Sequence, residues 1–401
     1  ADLATNKLNS AHIPFAALKV YSTPRRMALI VEGLAAHQPD SMLEAKGPSV
    51  KIAKTPAGEY SKAAIGFANS QKVELGDLIE RDGYIYASKK IIGRPVIELL
   101  PELLTEILHA LNFPKNMRWG DYEVRFVRPI HWLVAMLNDQ VIPVEITDIH
   151  ADNYTYGHRF LSTGKVVIPH AAEYDKILRE HFVIVDQEER RRIIVEQIKA
   201  TAIANKATAK IDEELLEEVI YLVEYPTALC GSFDKEFLSL PKEAIITPMK
   251  EHQRYFPLFD EQGTLLPNFI TVRNGDARNL DGIAHGNARV LRARLSDAAF
   301  FFNEDRKQPL NVRLEKLKTV VFQDGLGTMY DKVLRIEKMA LQFAQMAGYE
   351  DLDLVQQTAH LAKADLVTGM VCEFTELQGV MGREYAKLEG LPTAVSEGIF
   401  E

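Results

Sequence analysis

The sequence predicts an α+β protein, a mixed body rich in antiparallel hairpins followed by an all-α region. Three observations carry this. Turn dipeptides separate short alternating apolar runs through the first 150 residues; capped helical patterns appear from residue 186; and no strand signal remains after residue 310. At 401 residues the chain exceeds one typical domain. The texture divides it into 1–165, 166–310 and 311–401.

The elements follow in order. Residues 18–34 read as a hairpin, Leu18–Ser22 and Met27–Leu34 around Thr23-Pro24, because Pro presets φ for a turn. Residues 60–71 and 94–111 place apolar side chains at three-to-four spacing and read as helices. Between them Leu78–Arg81 and Tyr84–Ile92 flank Asp82-Gly83, a strong hairpin dipeptide. Val124–Val127, Ile130–Leu137 and Val141–Ile149 read as strands. Asn138-Asp139 joins the last two, and Pro129 and Pro143 confine them to edges or strand ends. Asp186 with Glu188 and Glu189 opens a helix to about Ala204. A second spans Asp212–Glu224, and Pro241 sits at the first position of a third. Arg254–Phe259 and Leu265–Arg273 form a hairpin around Gly263, and Asn287 caps a helix through Asn303. Leu310–Phe322, Tyr330–Ala347, Leu352–Phe374 and Arg383–Leu388 are helical, with Gly348 as a C-cap.

Composition bounds the function. The net charge of −9 argues against nucleic-acid binding over the whole surface, yet leaves room for one basic face. Cys230 and Cys372 lie far apart and read as two reduced, buried thiols of a cytosolic protein. The absence of an initiator Met and of an ending signal at Glu401 reads as a piece of a longer chain, its helical region incomplete.

Residues 249–306 interleave cations and aromatics. Arg289 and Arg292 fall one turn apart on a helix, with Arg294 turned to the side, a spacing that suits a phosphate track. Lys250, Arg254 and Tyr255 add cations and a ring nearby. The plainer account pairs these arginines with Asp297, Glu304 and Asp305, and buries Phe300–Phe302 in a core. Arg25 and Arg26 on a hairpin, and Arg118 beside an exposed-looking Trp119, are smaller clusters of the same kind. His158 reads as a structural residue. The helical tail invites comparison with metal phosphohydrolases of the HD type, which need a His-Asp pair. Here Ala364 precedes Asp365 and Lys363 repels a cation, so any such site is degenerate and no metal is expected. The plainer role of Asp365 is pairing with Lys363 or Arg335.

Longer strings carry a resemblance. They are Thr23–Leu29, Lys46–Pro48, Met117–Gly120, Phe126–His131, Gly157–Phe160, Leu222–Pro226, Met249–Pro257, Leu266–Ile270, Gly325–Thr328, Lys363–Leu366 and Glu373–Gly382. Together they resemble the β subunit of the bacterial heterotetrameric glycyl-tRNA synthetase, over nearly the whole chain. The resemblance implies the N-terminal portion of that subunit. The family's opening Glu-Ile-Gly-Thr-Glu-Glu-Leu-Pro pattern and its C-terminal anticodon-binding domain are missing. It also implies a B3/B4-like N-terminal body and an HD-like helical domain. In function it implies a cytoplasmic aminoacyl-tRNA synthetase subunit that binds and orients tRNA(Gly) within an α2β2 assembly. ATP and Mg would be used by the α subunit, and this chain would hold no cofactor and no catalytic residue. Three other functions compete: an HD-type phosphohydrolase, an editing hydrolase, and a purely structural subunit whose arginines bind α.

Overall fold

A computed structural model of the chain describes residues 1–55 and 58–401. Backbone packing divides it into two units, Ala1–His181 and Phe182–Glu401. The architecture is mixed, with several antiparallel hairpin sheets and a helical C-terminal portion.

The first unit opens with helix α1 (Asp2–Ser10) and the hairpin β1 (Ala17–Thr23) and β2 (Arg26–Glu32). Its register runs from Ala17 opposite Glu32 to Thr23 opposite Arg26, so Pro24 sits in the turn as the sequence expects. Strand β3 (Ser41–Ser49), helices α2 (Val50–Ala53) and α3 (Lys62–Gln71), and strands β4 (Leu78–Arg81) and β5 (Tyr84–Ile91) come next. The three strands lie in the order β3-β5-β4. Asp82 and Gly83 have φ of 52° and 77°, both left-handed, as the tight hairpin turn requires. Ser61 caps α3 by accepting from the amides of Ala63 and Ala64. The helix then buries Ala64 and Ala68 against Ile85 and Ala87. Helix α4 (Val96–Ala110) packs Val96, Leu100 and Leu103 with Leu8, Ile13, Ile142 and Val144.

The strands expected over 124–149 are shorter than the sequence implies. Val124–Val127 contributes one bridge, Phe126 to Met117. The rest is broken into β6 (Leu133–Val134), β7 (Met136–Leu137), β8 (Gln140–Val141), β9 (Glu145–Ile146) and β10 (Ile149–Asp152). Pro129 and Pro143 donate no amide, which breaks the ladder. The β7–β8 hairpin does turn through Asn138-Asp139. Strands β11 (Tyr154–Tyr156) and β12 (Lys165–Val167) pair antiparallel, and helix α5 (Tyr174–Glu180) follows.

The second unit begins with α6 (Gln187–Ala204), whose N-cap Asp186 accepts from Glu188 and Glu189. Strand β13 (Thr208–Ala209), helix α7 (Glu213–Leu222) and strand β14 (Pro226–Ser232) lead to helix α8 (Lys242–Thr247). Pro241 occupies the N-cap of α8, one place before the expected position. A π turn over Pro248–His252 precedes β15 (Phe256–Phe259) and β16 (Leu265–Asn274). The sheet order is β13-β15-β16-β14. Helices α6 and α7 bury Ile194, Ile198, Leu216 and Ile220 with Phe256, Leu258 and Ile270.

Helix α9 runs Leu280–Asp305, 26 residues. It starts a full two turns before Asn287, which therefore lies inside the helix and caps nothing. Gly282 and Gly286 lower the intrinsic preference of that stretch. Packing of Leu291, Leu295, Ala298 and Phe302 anchors the helix further along, and the backbone winds back to Asn279, which takes a left-handed φ of 54°.

Beyond Asp305 come α10 (Leu310–Arg313), α11 (Met329–Met346), α12 (Leu352–Leu361), α13 (Gly369–Glu373), α14 (Val380–Leu388) and α15 (Thr393–Phe400). One hairpin does occur here, β17 (Val321–Gln323) with β18 (Gly327–Thr328), where the sequence indicated helix and no strand. The expected helix Leu352–Phe374 is interrupted between α12 and α13, where the chain turns Asp365 inward. Gly348 follows α11 with φ of 69°. No helix among the described residues is long and apolar enough to cross a membrane.

Candidate nucleic-acid interface

Four of the five cations singled out in the second unit are held by carboxylates distant in sequence. Arg292 donates to Asp234 at 2.9 Å and Arg294 to Glu373 at 3.2 Å. Asp297, Glu304 and Asp305, the partners expected from spacing, are not the ones used. Lys250 pairs with Asp212 at 2.9 Å, and that bond holds its ammonium above the ordinary lysine range. Arg254, in a left-handed conformation with φ of 60°, reaches Glu218 on α7. Arg289 is exposed on α9, one turn before Arg292.

Tyr255 is not a surface residue. It is 4% exposed and stacks on Phe269, ring centroids 4.5 Å apart. Its hydroxyl donates to Asn287 at 3.1 Å, and burial pushes the phenol up to about 12. The ring fixes α9 against the sheet and has no free face for a base. Among Phe300–Phe302, Phe302 is buried while Phe300 is 60% exposed, so the run divides between core and surface.

Two cations expected in the first unit turn inward. Arg25 donates to the carbonyl of Gly157 at 3.0 Å and Arg26 to that of Tyr156 at 2.8 Å. Both guanidinium groups lie over the Trp132 ring, 5.6 and 5.7 Å from its centroid. Arg118 is exposed and paired with Glu123 at 2.8 Å. Trp119 beside it is half-buried, edge-on to Tyr122. His158 is 1% exposed and accepts the Phe160 amide, a structural role.

Asp365 is fully buried. One carboxylate oxygen accepts from the amides of Gly379 and Gly382, at 2.6 and 3.1 Å. These backbone groups replace the expected Lys363 or Arg335 partner. Burial raises its pKa, against the pull of those amides. The carboxylate is thus spent on shaping the turn before α14. Among the described residues no three His, Cys, Asp or Glu side chains gather to hold a metal. Cys372 is exposed, correcting the expectation of two buried thiols, and Cys230 is half-buried.

The carboxylate partners Asp234, Glu373, Asp212 and Glu218 were not legible as site residues, because pairing across 36 to 79 positions leaves no local signal.

The chain matches the family described as glycyl-tRNA synthetase beta subunit over residues 1–401. It is 49% identical over 405 residues to the glycine–tRNA ligase beta subunit of Moorella thermoacetica, covering 100% of this chain and 58% of that protein. Identity is 46% over 403 residues to the corresponding protein of Listeria monocytogenes, covering 99% and 58%. It is 46% over 405 residues to that of Syntrophotalea carbinolica, covering 100% and 59%. The chain therefore spans less than two thirds of the length of these relatives. On this evidence of sequence and family match, the chain belongs to the glycyl-tRNA synthetase beta subunit family.

Proposed function

We propose that this chain binds and orients tRNA(Gly) and assembles with an α subunit that carries ATP-dependent activation and transfer of glycine, in an α2β2 enzyme of the cytoplasm. In this reading the chain itself holds no cofactor and supplies no catalytic group, and ATP and Mg belong to the α subunit. Phosphate contacts set the register of the RNA and base contacts specify it. Fixing the acceptor end beside an activated amino acid makes the transfer effectively intramolecular.

The observation that carries the reading is the arginine array on α9. Arg289 and Arg292 share a face of a 26-residue helix, with Arg294 beside them. The arginine side chains of the two ion pairs are 61% and 41% exposed. Solvent-exposed pairs of this type contribute about 0–1 kcal/mol. A run of phosphates meets several cations at once and releases counterions, so exchange of Asp234 and Glu373 for phosphate is inexpensive.

The test is tRNA(Gly) binding by the whole chain at two salt concentrations, with and without the α subunit. Arg292→Ala is expected to weaken binding and make the salt dependence shallower by close to one phosphate contact. Unchanged affinity and slope would sink the assignment. The pairing of Arg292 and Arg294 with acids favours a second reading, in which they only brace the second unit. That reading expects Arg292→Ala to lower thermal stability and leave RNA binding alone. A phosphohydrolase reading is disfavoured because Asp365 is sealed from solvent and bound to backbone amides.

A further inference from the structure

Three separate segments of the first unit meet around Trp132. They are the β1–β2 turn, the stretch into β6, and the β11–β12 hairpin, residues 23–31, 124–138 and 154–172. They contribute Arg25, Arg26, Arg125, Arg128, Arg159 and Lys165, and the acids that border them in sequence are Glu32, Glu123, Asp139, Asp152 and Glu173. Contacts link them into one row. Lys165 lies 3.7 Å from the Tyr154 ring centroid, Tyr154 meets Tyr156 at 6.0 Å, and Tyr156 meets Trp132 at 5.3 Å. Trp132 in turn lies beneath Arg25 and Arg26, which hold the carbonyls of Gly157 and Tyr156.

The row supports a rigid turn at its end. The His158 amide donates to the His181 carbonyl at 2.9 Å, and the Ser162 amide to the His158 carbonyl at 3.0 Å. The buried His158 ring accepts the Phe160 amide at 3.3 Å, and Ser162 meets His181 Nδ1 at 2.9 Å. Only glycine fits at position 157, where a Cβ would come within 2.5 Å of the Ser162 hydroxyl and 2.8 Å of the His181 side chain. What this turn presents is Phe160, 79% exposed, with the Arg159 guanidinium 5.5 Å from its ring. A single exposed apolar side chain is ordinary. A phenylalanine fixed outward by a buried histidine and topped by arginine is a different matter. Aromatic rings and guanidinium planes together take up unpaired bases.

We propose that Phe160 and Arg159 form a stacking site for one unpaired RNA base, with Lys165 of the same hairpin attracting its phosphate. This rests on the proposed tRNA function and names the part of the RNA that the surface takes. Unpaired bases occur at a single-stranded 3′ end and in a loop, and the test separates them.

Binding of three fluorescent RNAs to the whole chain would be measured. One is a hairpin with a four-nucleotide 3′ overhang and a capped loop, one a blunt hairpin with an open loop, and one a blunt duplex. Phe160→Leu keeps an apolar side chain and removes the ring, at a position where folding does not depend on it. Stacking on an aromatic is worth about 1–3 kcal/mol per base, so affinity should fall roughly 5- to 150-fold for an RNA with unpaired bases. Phe160→Tyr should restore it. Loss confined to the overhang hairpin assigns the site to a 3′ end, and loss confined to the looped hairpin assigns it to a loop. Equal loss on the duplex, or no loss on any RNA, overturns the proposal. So does normal RNA binding by Phe160→Leu with failure to associate with the α subunit, which would make the ring a protein contact. Measuring tRNA(Gly) alongside distinguishes the two levels. Wild-type binding that ignores Phe160→Leu defeats this site alone. Absence of wild-type binding at both salt concentrations, with and without the α subunit, defeats the functional reading.

Discussion

Replacing Asp305 with Ala should be among the most damaging single changes in the second unit. Asp305 ends α9 and is 5% exposed, and the Arg313 side chain that pairs with it at 3.3 Å is 6% exposed. Its carboxylate also accepts from the amides of Gly369 and Met370 at 2.8 and 2.9 Å, and from the Tyr385 hydroxyl at 3.0 Å. One residue therefore closes the start of α13, a side chain of α14 and a buried guanidinium. The alanine variant leaves that guanidinium without its counter-charge, and breaking a buried pair in this way costs about 3–5 kcal/mol. The unit Phe182–Glu401 has about 220 residues, a size at which 1 kcal/mol moves the melting midpoint by at least about 2 °C. The expected fall is therefore roughly 6–10 °C or more, measured by calorimetry or by far-ultraviolet circular dichroism. Tyr385→Phe removes one bond to a charged group and should cost about 1.5–3 kcal/mol. An Asp305→Ala midpoint within about 2 °C of wild type would refute the view that this carboxylate locks the helices together.

Two further outcomes are expected. Burial raises the pKa of Asp365 above the ordinary value of 3.8, so the folded state holds that proton more tightly than the unfolded chain. Its contribution to stability is complete below pH 3.8 and is lost as pH rises through the folded value. The urea midpoint of Asp365→Asn should therefore gain on wild type between pH 4.5 and 7.5, and a constant difference would contradict the argument. Cys372 is exposed while burial pushes the Cys230 thiol up. A thiol reagent at neutral pH should label Cys372 promptly and Cys230 slowly, as read by mass spectrometry after digestion; equal rates would count against the packing around Cys230.

Local signals were read well where local chemistry decides the structure. Asp82-Gly83 and Asn138-Asp139 mark real hairpins because both turns use left-handed residues, Asp82, Gly83 and Asn138 among them. Asp186 opens α6 because its side chain satisfies two amides that the helix leaves free. The failures occur where distant packing decides. The sequence puts the start of α9 two turns late, at Asn287, a residue of capping type, while the helix is anchored by Leu291 and Leu295 further on and begins at Leu280. The break between α12 and α13 follows from Asp365 finding the amides of Gly379 and Gly382, 14 and 17 residues away. For the interface, the residue types were legible and their engagement was not. Nothing near Tyr255 in sequence announces the Phe269 ring beneath it, and nothing near Arg25 announces the Gly157 carbonyl.

The bonds from Gly369, Met370 and Tyr385 to Asp305 span 64 to 80 positions of chain, and this has a consequence during synthesis. At about 5–20 residues per second, the ribosome needs roughly 4–16 s to travel from Asp305 to Tyr385. For that interval the carboxylate has Arg313 within reach but lacks its donors from Gly369, Met370 and Tyr385. Such non-local closure is slow compared with helix formation itself. The arginine-bearing helix therefore forms early but acquires its final position late, after α14 has emerged.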